Sequence, residues 1–166
     1  LQEADANITT VDVPEMVLRN LTAQLSEDQA GVALVYLAKD RGLIVLTRQS
    51  TLYLARTLDI GYADIQRANE DLSLGEGIYE GLVLEVQRSL DYYDRYFMQS
   101  PISTVLLAPL PQEAPALLDY VEQSIGIRSR MLDLSEIFPQ SELDQATQSN
   151  CLLAIGAAMR REATKL

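Results

Sequence analysis

Three short apolar runs that follow one another closely constrain the fold of this chain more than any other feature. Val32 to Ala38, Leu43 to Thr47 and Leu52 to Leu58 each have the length and composition of a β-strand. The connections between them, Lys39 to Gly42 and Arg48 to Ser50, are short and polar. Such connections favour hairpins, because a parallel crossover needs about a dozen residues or more. The sequence therefore predicts an antiparallel three-stranded meander over residues 31–60.

Apolar residues at helical spacing flank the meander on both sides. The clearest helix lies within residues 61–100 and carries its buried stripe at Ile78, Leu82, Val86 and Leu90. Two strand–helix units follow over residues 101–166, and right-handed crossovers keep their strands parallel. We therefore expect an α/β fold with a mixed five-stranded sheet, three antiparallel strands then two parallel, and helices packed on it. The other predicted elements are an entry helix within residues 1–28, strands Ser103 to Ala108 and Arg128 to Leu132, a helix Glu113 to Ser124, a polar loop Ser141 to Gln148 and an exit helix Cys151 to Glu162.

The composition excludes several classes of function. The 166 residues include no histidine, which removes Ser–His and Cys–His catalysis and histidine-ligated metals. The single cysteine, Cys151, allows neither an internal disulfide nor a thiolate zinc site. With 13 basic and 24 acidic residues the net charge is −11, which repels nucleic-acid phosphates. No apolar run approaches the roughly 20 residues that cross a bilayer. We expect no nucleic-acid partner, no metal and no membrane insertion of this segment.

Two segments carry a resemblance to a known family. Leu84 to Tyr93 reads Leu-Glu-Val-Gln-Arg-Ser-Leu-Asp-Tyr-Tyr and resembles the E-x-x-R-S-L-D-Y helix of PilM-type pilus assembly proteins. Leu52 to Leu58, with Gly61 and Asp64, is similar to their L-Y-F-S-R-x-L-x-x-G-G-x-x-L segment. Within the family the chain is most similar to the component of mannose-sensitive haemagglutinin (MSHA) pilus systems. The cytoplasmic region of the type II secretion protein GspL has a related architecture.

The resemblance implies a ribonuclease-H-like lobe of an actin-like ATPase, mainly the second of two lobes. Because the chain opens with Leu1 rather than Met, we expect a piece of a longer protein. The implied role is a scaffold lobe at the cytoplasmic face of the inner membrane. The implied partner is a PilN-like inner-membrane protein whose peptide binds mainly the other lobe. A homodimer and a transmembrane helix after this segment are left open.

The nucleotide-binding motifs of the family are degenerate here. Actin-like ATPases hold phosphates with an Asp-x-Gly-x-x-x-Thr hairpin, where glycine admits backbone N–H groups and the Asp organises magnesium. They pack adenosine against a glycine run after a later strand, where this chain has two prolines and no glycine. The resemblance therefore implies a pseudo-ATPase without a cofactor. The alternative is a divergent nucleotide-binding ATPase lobe of a pilus or type II secretion assembly factor. The degenerate positions are Tyr36, Ala38, Arg41, Gly42, Ala108, Pro109 and Leu110.

An aromatic cluster closes the long helix. Tyr92, Tyr93, Tyr96, Phe97 and Met98 are too many for one buried stripe, so part of the cluster is core and the rest is available for contact. Tyr and Met are enriched at protein interfaces. Tyr92, Tyr96 and Met98 are therefore the candidate partner surface.

Other groups allow two interpretations each. Asp40 and Arg41 form either a modified phosphate site or a charged turn. Glu85, Arg88 and Asp91 form either a catalytic carboxylate pair with its clamp or a surface with intrahelical ion pairs. Cys151 is either a reactive thiol or a small buried apolar residue. The basic tail with Met159, Arg160, Arg161 and Lys165 faces anionic lipid or complements a helix C-terminus. A self-assembling filament is a third functional class, which the charge of −11 disfavours.

Overall fold

The computed structural model describes residues 10–140 and 143–160, with the backbone alone at 72–74. Within these residues, five helices and five strands follow the predicted order. Two 3-10 turns, Ser26–Gln29 and Leu134–Glu136, complete the fold. The elements are α1 Pro14–Thr22, β1 Val32–Leu37, β2 Gly42–Arg48, β3 Thr51–Leu58, α2 Tyr62–Glu70, α3 Leu72–Tyr96, β4 Thr104–Leu107, α4 Pro115–Ile125, β5 Arg128–Met131 and α5 Gln145–Ala158.

The five strands form one mixed sheet in the order β3-β2-β1-β4-β5. β1, β2 and β3 pair antiparallel, whereas β4 lies parallel to β1 and β5 parallel to β4. The predicted fold class is confirmed. The carboxyl ends of β1, β4 and β5 consequently meet at one edge of the sheet, beside the start of β2.

Each face of the sheet carries its own hydrophobic core. On one face α2, α3 and α4 cover the sheet with a cluster that includes Leu82, Val86 and Leu117. On the other face α1 and α5 enclose a second cluster that includes Leu18 and Leu152. The two clusters share the sheet, so β1, β2 and β4 are buried on both sides.

The entry and exit helices pack against each other very closely. A Cβ at Gly156 of α5 would lie 2.7 Å from both the carbonyl oxygen and Cγ1 of Val17. The Asn20 side chain of α1 donates a hydrogen bond to the Gly156 carbonyl at 3.0 Å. Only glycine permits this contact.

The β2–β3 turn is built without glycine. Gln49 and Ser50 both have positive φ, +50° and +61°, as a two-residue turn of this hand requires. Asp28 holds the turn, because its carbonyl accepts from the Gln49 N–H at 2.9 Å and its carboxylate from the Ser50 N–H. The buried Thr47 hydroxyl also donates to Asp28 at 2.8 Å.

The prediction for the exit helix was wrong at both ends. We expected a polar loop from Ser141 to Gln148 and a helix from Cys151 to Glu162, but α5 begins at Gln145 and ends at Ala158. Asp144 caps the helix by accepting from the Thr147 N–H at 2.8 Å, and the side chain of Gln148 is buried with three hydrogen bonds. Polar residues therefore form the first turn of the helix. Residues 141, 142 and 162 lie outside the described part of the chain.

Candidate functional site

The sequence-predicted nucleotide positions converge on one edge of the sheet. Tyr36 lies near the end of β1, is half-buried, and burial raises the pKa of its phenol. Gly42 is the first residue of β2 and is buried. A Cβ at this position would lie 2.8 Å from the Ile60 carbonyl oxygen, so the site is closely packed. Ala38 and Arg41 are exposed in the turn between the two strands.

That β1–β2 turn, residues 38–41, caps the N-terminus of α2. The Tyr62 N–H donates to the Ala38 carbonyl at 2.7 Å, and the Ala63 N–H donates to the Lys39 carbonyl at 2.9 Å. The turn thus presents carbonyl acceptors to α2, and these satisfy two of the N–H groups at the start of α2 that have no partner within the helix. A phosphate cradle requires the opposite arrangement, with N–H groups directed at the ligand.

Gly61 lies directly against the same turn. A Cβ at this position would be 2.5 Å from the Arg41 nitrogen and 2.4 Å from the Lys39 oxygen. The backbone of Gly61 therefore covers the face of the turn that points toward α2. Sequence reasoning placed Gly61 in the family motif but not at the site. The sequence signal for this role is a glycine immediately before a helix, followed three residues later by Asp64. The Asp64 carboxylate accepts a hydrogen bond from the Gly61 N–H at 2.8 Å.

The second nucleotide element follows β4 and is buried. The Ala108 N–H donates to the Val35 carbonyl at 2.8 Å, so it is bound within the sheet. Pro109 carries no N–H, and Leu110 is 1% exposed in the core beneath α2 and α3. The Leu110 carbonyl accepts from the Gln145 side chain at 3.0 Å.

A cleft of about 190 Å³ opens beside Pro109 at the ends of β4 and β5. Hydrogen bonds from Ser135 and Gln148 hold the pKa of Asp133 below its ordinary value. The Gln148 amide donates to Asp133 at 2.9 Å and its oxygen accepts from the Leu134 N–H at 2.7 Å. These polar groups of the cleft are therefore engaged with one another. The cleft is lined by Pro109, Met131, Leu132, Asp133, Gln145 and Gln148.

The other sequence-predicted groups are placed as follows. Across residues 10–140 and 143–160, no three His, Cys, Asp or Glu side chains are grouped to hold a metal ion. In the same ranges no helix is long and apolar enough to cross a membrane. Cys151 is half-buried on α5. Arg160 lies 3.9 Å from the Asp12 carboxylate, whereas Arg161 and Lys165 are outside the described residues.

The aromatic cluster divides between core and surface. Tyr93 is fully buried and meets Tyr53 of β3 edge-on, with ring centroids 5.5 Å apart. Tyr92, Tyr96 and Met98 are 47%, 61% and 95% exposed. The rings of Tyr92 and Tyr96 lie 4.5 Å apart, so they form one continuous exposed aromatic surface.

Glu85 forms ion pairs with two arginines. Arg56 of β3 contacts one of its oxygens at 2.8 Å and Arg88 contacts the other at 2.6 Å. Asp91 is exposed on the same helix. Both Glu85 oxygens are engaged with arginines, so this carboxylate joins α3 to the sheet. Sequence reasoning missed Arg56, since its partner lies 29 residues away.

Comparison with known proteins gives structural likeness alone. No family model matches the sequence, and no curated protein matches it significantly. Among solved structures, the "PilM-PilN type IV pilus biogenesis complex" superposes with a TM-score of 0.63 and 19% identity, over 91% of this chain and 52% of that chain. The apo pSK41 ParM protein gives 0.45 at 8% identity over 88% and 48%. An Aquifex aeolicus Ppx/GppA protein gives 0.44 at 12% identity over 88% and 53%.

The chain spans about half the length of these structures. At this level of sequence identity the structural likeness shows the fold alone. The mixed sheet with helices on both faces is the ribonuclease-H-like fold of actin-like proteins, and the chain has a PilM-like form of it.

Proposed function

We propose that this chain is a non-catalytic scaffold lobe of a type IV pilus biogenesis protein, of the MSHA type and similar to MshI. It docks partner proteins at the cytoplasmic face of the inner membrane. The fold supports this proposal, because the superposed PilM belongs to a complex with PilN. The proposed partner is accordingly a PilN-like inner-membrane protein, with a homodimer as a further arrangement.

One observation carries the non-catalytic part of the proposal. The β1–β2 turn, where an actin-like ATPase grips phosphate, caps α2 through the Ala38 and Lys39 carbonyls. Gly61 covers this side of the turn, and the second element offers proline and buried leucine. A triphosphate carries several negative charges, which carbonyl oxygens repel rather than bind.

Calorimetric titration of the full-length protein with Mg-ATP tests the pseudo-ATPase proposal. We expect no heat of binding beyond dilution, while an intact actin-like ATPase titrated in the same buffer serves as the positive control. Micromolar affinity would instead establish the divergent ATPase lobe. The full-length protein is required, because the alternative ATPase lobe needs the first lobe to supply the other phosphate loop.

Co-purification with the pilus-operon neighbours tests the scaffold role. We expect wild-type protein to retain a PilN-like partner. Tyr96→Ala should reduce capture if the exposed aromatic surface is the contact, whereas Leu84→Ala, on the same helix and 45% exposed, serves as the matched control. Absence of every neighbour from the wild-type sample would contradict the scaffold role.

A further inference from the structure

The outer edge of β3 is an open sheet edge. β3 is the terminal strand of the sheet and pairs with β2 on its inner side. No other backbone or side-chain hydrogen bond to its main chain occurs within residues 10–140 and 143–160. Thr51, Ala55 and Thr57 are exposed along it. Proteins commonly protect such an edge with lysine, proline or a covering segment, because a free strand pairs readily with another chain. β3 contains neither lysine nor proline.

One side of α3 forms a wall beside this edge. The Arg56–Glu85 ion pair joins the strand to the helix. Tyr53 of β3 contacts Phe97 with ring centroids 5.4 Å apart, and Phe97 contacts Tyr92 at 6.2 Å. The exposed tyrosines are therefore continuous with β3. A shallow cleft of about 240 Å³ lies along the wall, lined by Arg88, Asp91, Tyr92, Arg95 and Tyr96.

The wall is locally positive on an acidic protein. Counted over the residues that line the cleft and the Arg56–Glu85 pair, three arginines (Arg56, Arg88 and Arg95) stand against two carboxylates, although the whole chain carries −11. Arg95 makes no ion pair within the described residues. At physiological ionic strength, exposed charges more than about 8 Å away are largely screened. An incoming segment at this wall consequently meets the unpaired Arg95 first, with Arg56 and Arg88 beside it around Glu85.

We propose that the β3 edge and this wall bind an extended acidic segment of a partner protein, which adds to the sheet as a strand. The inference rests on the proposed scaffold function and names the chemistry of its partner. Main-chain pairing supplies affinity, and the side chains supply specificity, because alternate side chains of an added strand point to the same side. Carboxylates on that side pair with Arg56, Arg88 and Arg95, and an apolar or aromatic side chain packs on Tyr92 and Tyr96.

A second copy of β3 fits this edge poorly. The segment Thr51–Leu58 has one charged residue, Arg56, and no carboxylate. Pairing two copies would therefore bring no carboxylate to Arg95, the arginine of the wall that makes no ion pair within the described residues. The complementary occupant is therefore an acidic strand from another protein.

Fluorescence anisotropy with synthetic peptides tests the chemistry. The probe is a labelled ten-residue peptide in which Glu alternates with Val and Tyr, titrated with the full chain. We expect it to bind at least about tenfold more tightly than the same peptide with Lys in place of Glu, and more weakly as salt rises. Equal binding of the two peptides, or tighter binding of the Lys peptide, would overturn the proposal.

Backbone methylation of the probe tests strand addition. Only alternate N–H groups of an added strand face the edge of the sheet. Methylating one alternate set of peptide nitrogens should abolish binding, while methylating the other set should leave it within about twofold. Equal effects of the two sets would exclude pairing along β3.

Charge reversal locates the site on the protein. Arg88→Glu should weaken the acidic peptide by about tenfold or more, since it places a like charge beside the peptide. Arg128→Glu changes the net charge equally on the exposed, opposite edge of the sheet and should alter binding by less than about twofold. Equal loss of peptide affinity in both variants would overturn the site. So would a dimer of this chain in sedimentation experiments that the peptide prevents from forming. Retention of the pilus partners by Arg88→Glu would remove this site and leave the scaffold role standing.

Discussion

Single buried polar residues hold parts of the chain that lie far apart in sequence. The Arg48 guanidinium donates to the carbonyls of Ala30, Ser100 and Pro101, at 2.7, 2.6 and 3.1 Å, and to the Tyr93 hydroxyl at 3.2 Å. It is 9% exposed. Arginine has five donors and cannot be deprotonated, so it satisfies several buried carbonyls at once. Arg48 thereby fixes the segment that leads into β4 against the end of β2.

Gly156 and Gly77 provide a matched pair of substitutions. We expect Gly156→Ala to lower the free energy of unfolding by about 1–3 kcal/mol, because its Cβ would clash with the Val17 backbone and force α1 and α5 apart. Gly77→Ala should raise stability by about 0.4–1 kcal/mol, because Gly77 is exposed on α3 and a Cβ there would have no neighbouring atom within 4 Å. Urea denaturation measures both. Equal effects would contradict the close contact between the helices.

At the scale of elements, one arginine joins β5 to both 3-10 turns. Arg130 contacts Glu27 of the first turn and Glu136 of the second, each at 2.6 Å. The side chains of Arg130 and Glu27 are both about four-fifths buried, so solvent screens this pair less than a surface ion pair. The pair links two segments that are 103 residues apart.

The Glu27–Arg130 pair predicts a loss of stability in acid. Burial raises the pKa of Glu27, but its hydrogen bond and charge interaction with Arg130 outweigh this and hold the pKa below its ordinary value of 4.5. A carboxyl with a depressed folded-state pKa stabilises the fold above its unfolded pKa, and this contribution is lost as pH falls through the folded value. We expect Glu27→Gln to flatten the decline in unfolding free energy below about pH 5. Urea titrations across that range measure it.

Glu70→Gln is the control for this prediction, because Glu70 is exposed at the end of α2. It should leave the acid limb of the wild-type curve unchanged. A Glu27→Gln protein with the wild-type slope would show that Glu27 keeps the same pKa in the folded and unfolded states.

At the scale of the whole molecule, the sheet divides into a sealed centre and accessible edges. Every residue of β2 and β4 is buried, and β1 is buried except at Tyr36. β3 and β5 carry mostly exposed or half-buried residues. Edge strands also have one unpaired side, so their amides open with fewer contacts to break.

Hydrogen exchange should reproduce this division. We expect the amides of β1, β2 and β4 to exchange most slowly, and those of β5 and of the outer side of β3 much faster. Mass spectrometry of the exchanged protein measures the order. Addition of the acidic peptide should slow exchange at β3 alone among the strands, whereas equal protection of all five strands would contradict the open edge.

The sequence by itself determined the local architecture. The short connections dictated an antiparallel meander, the stripe from Ile78 to Leu90 dictated the long helix, and Gly126 stops α4 in a left-handed conformation with φ of +71°. These features depend on residues that are neighbours along the chain, and they were predictable for that reason. The exposed Tyr92, Tyr96 and Met98 were likewise anticipated from an aromatic cluster too large for one stripe.

Only the tertiary structure decided the contacts between distant segments. Arg48 read as part of a polar turn, yet it is buried because its carbonyl partners come from two other loops. The start of α5 was missed because Gln148 finds its partners near Leu134 only after folding. Two further contacts also depend on how the elements pack. These are the contact of Gly61 with the β1–β2 turn and the position of the α3 wall beside β3. Sequence spacing specifies which way a side chain faces along its own element, whereas its partner depends on how the elements pack.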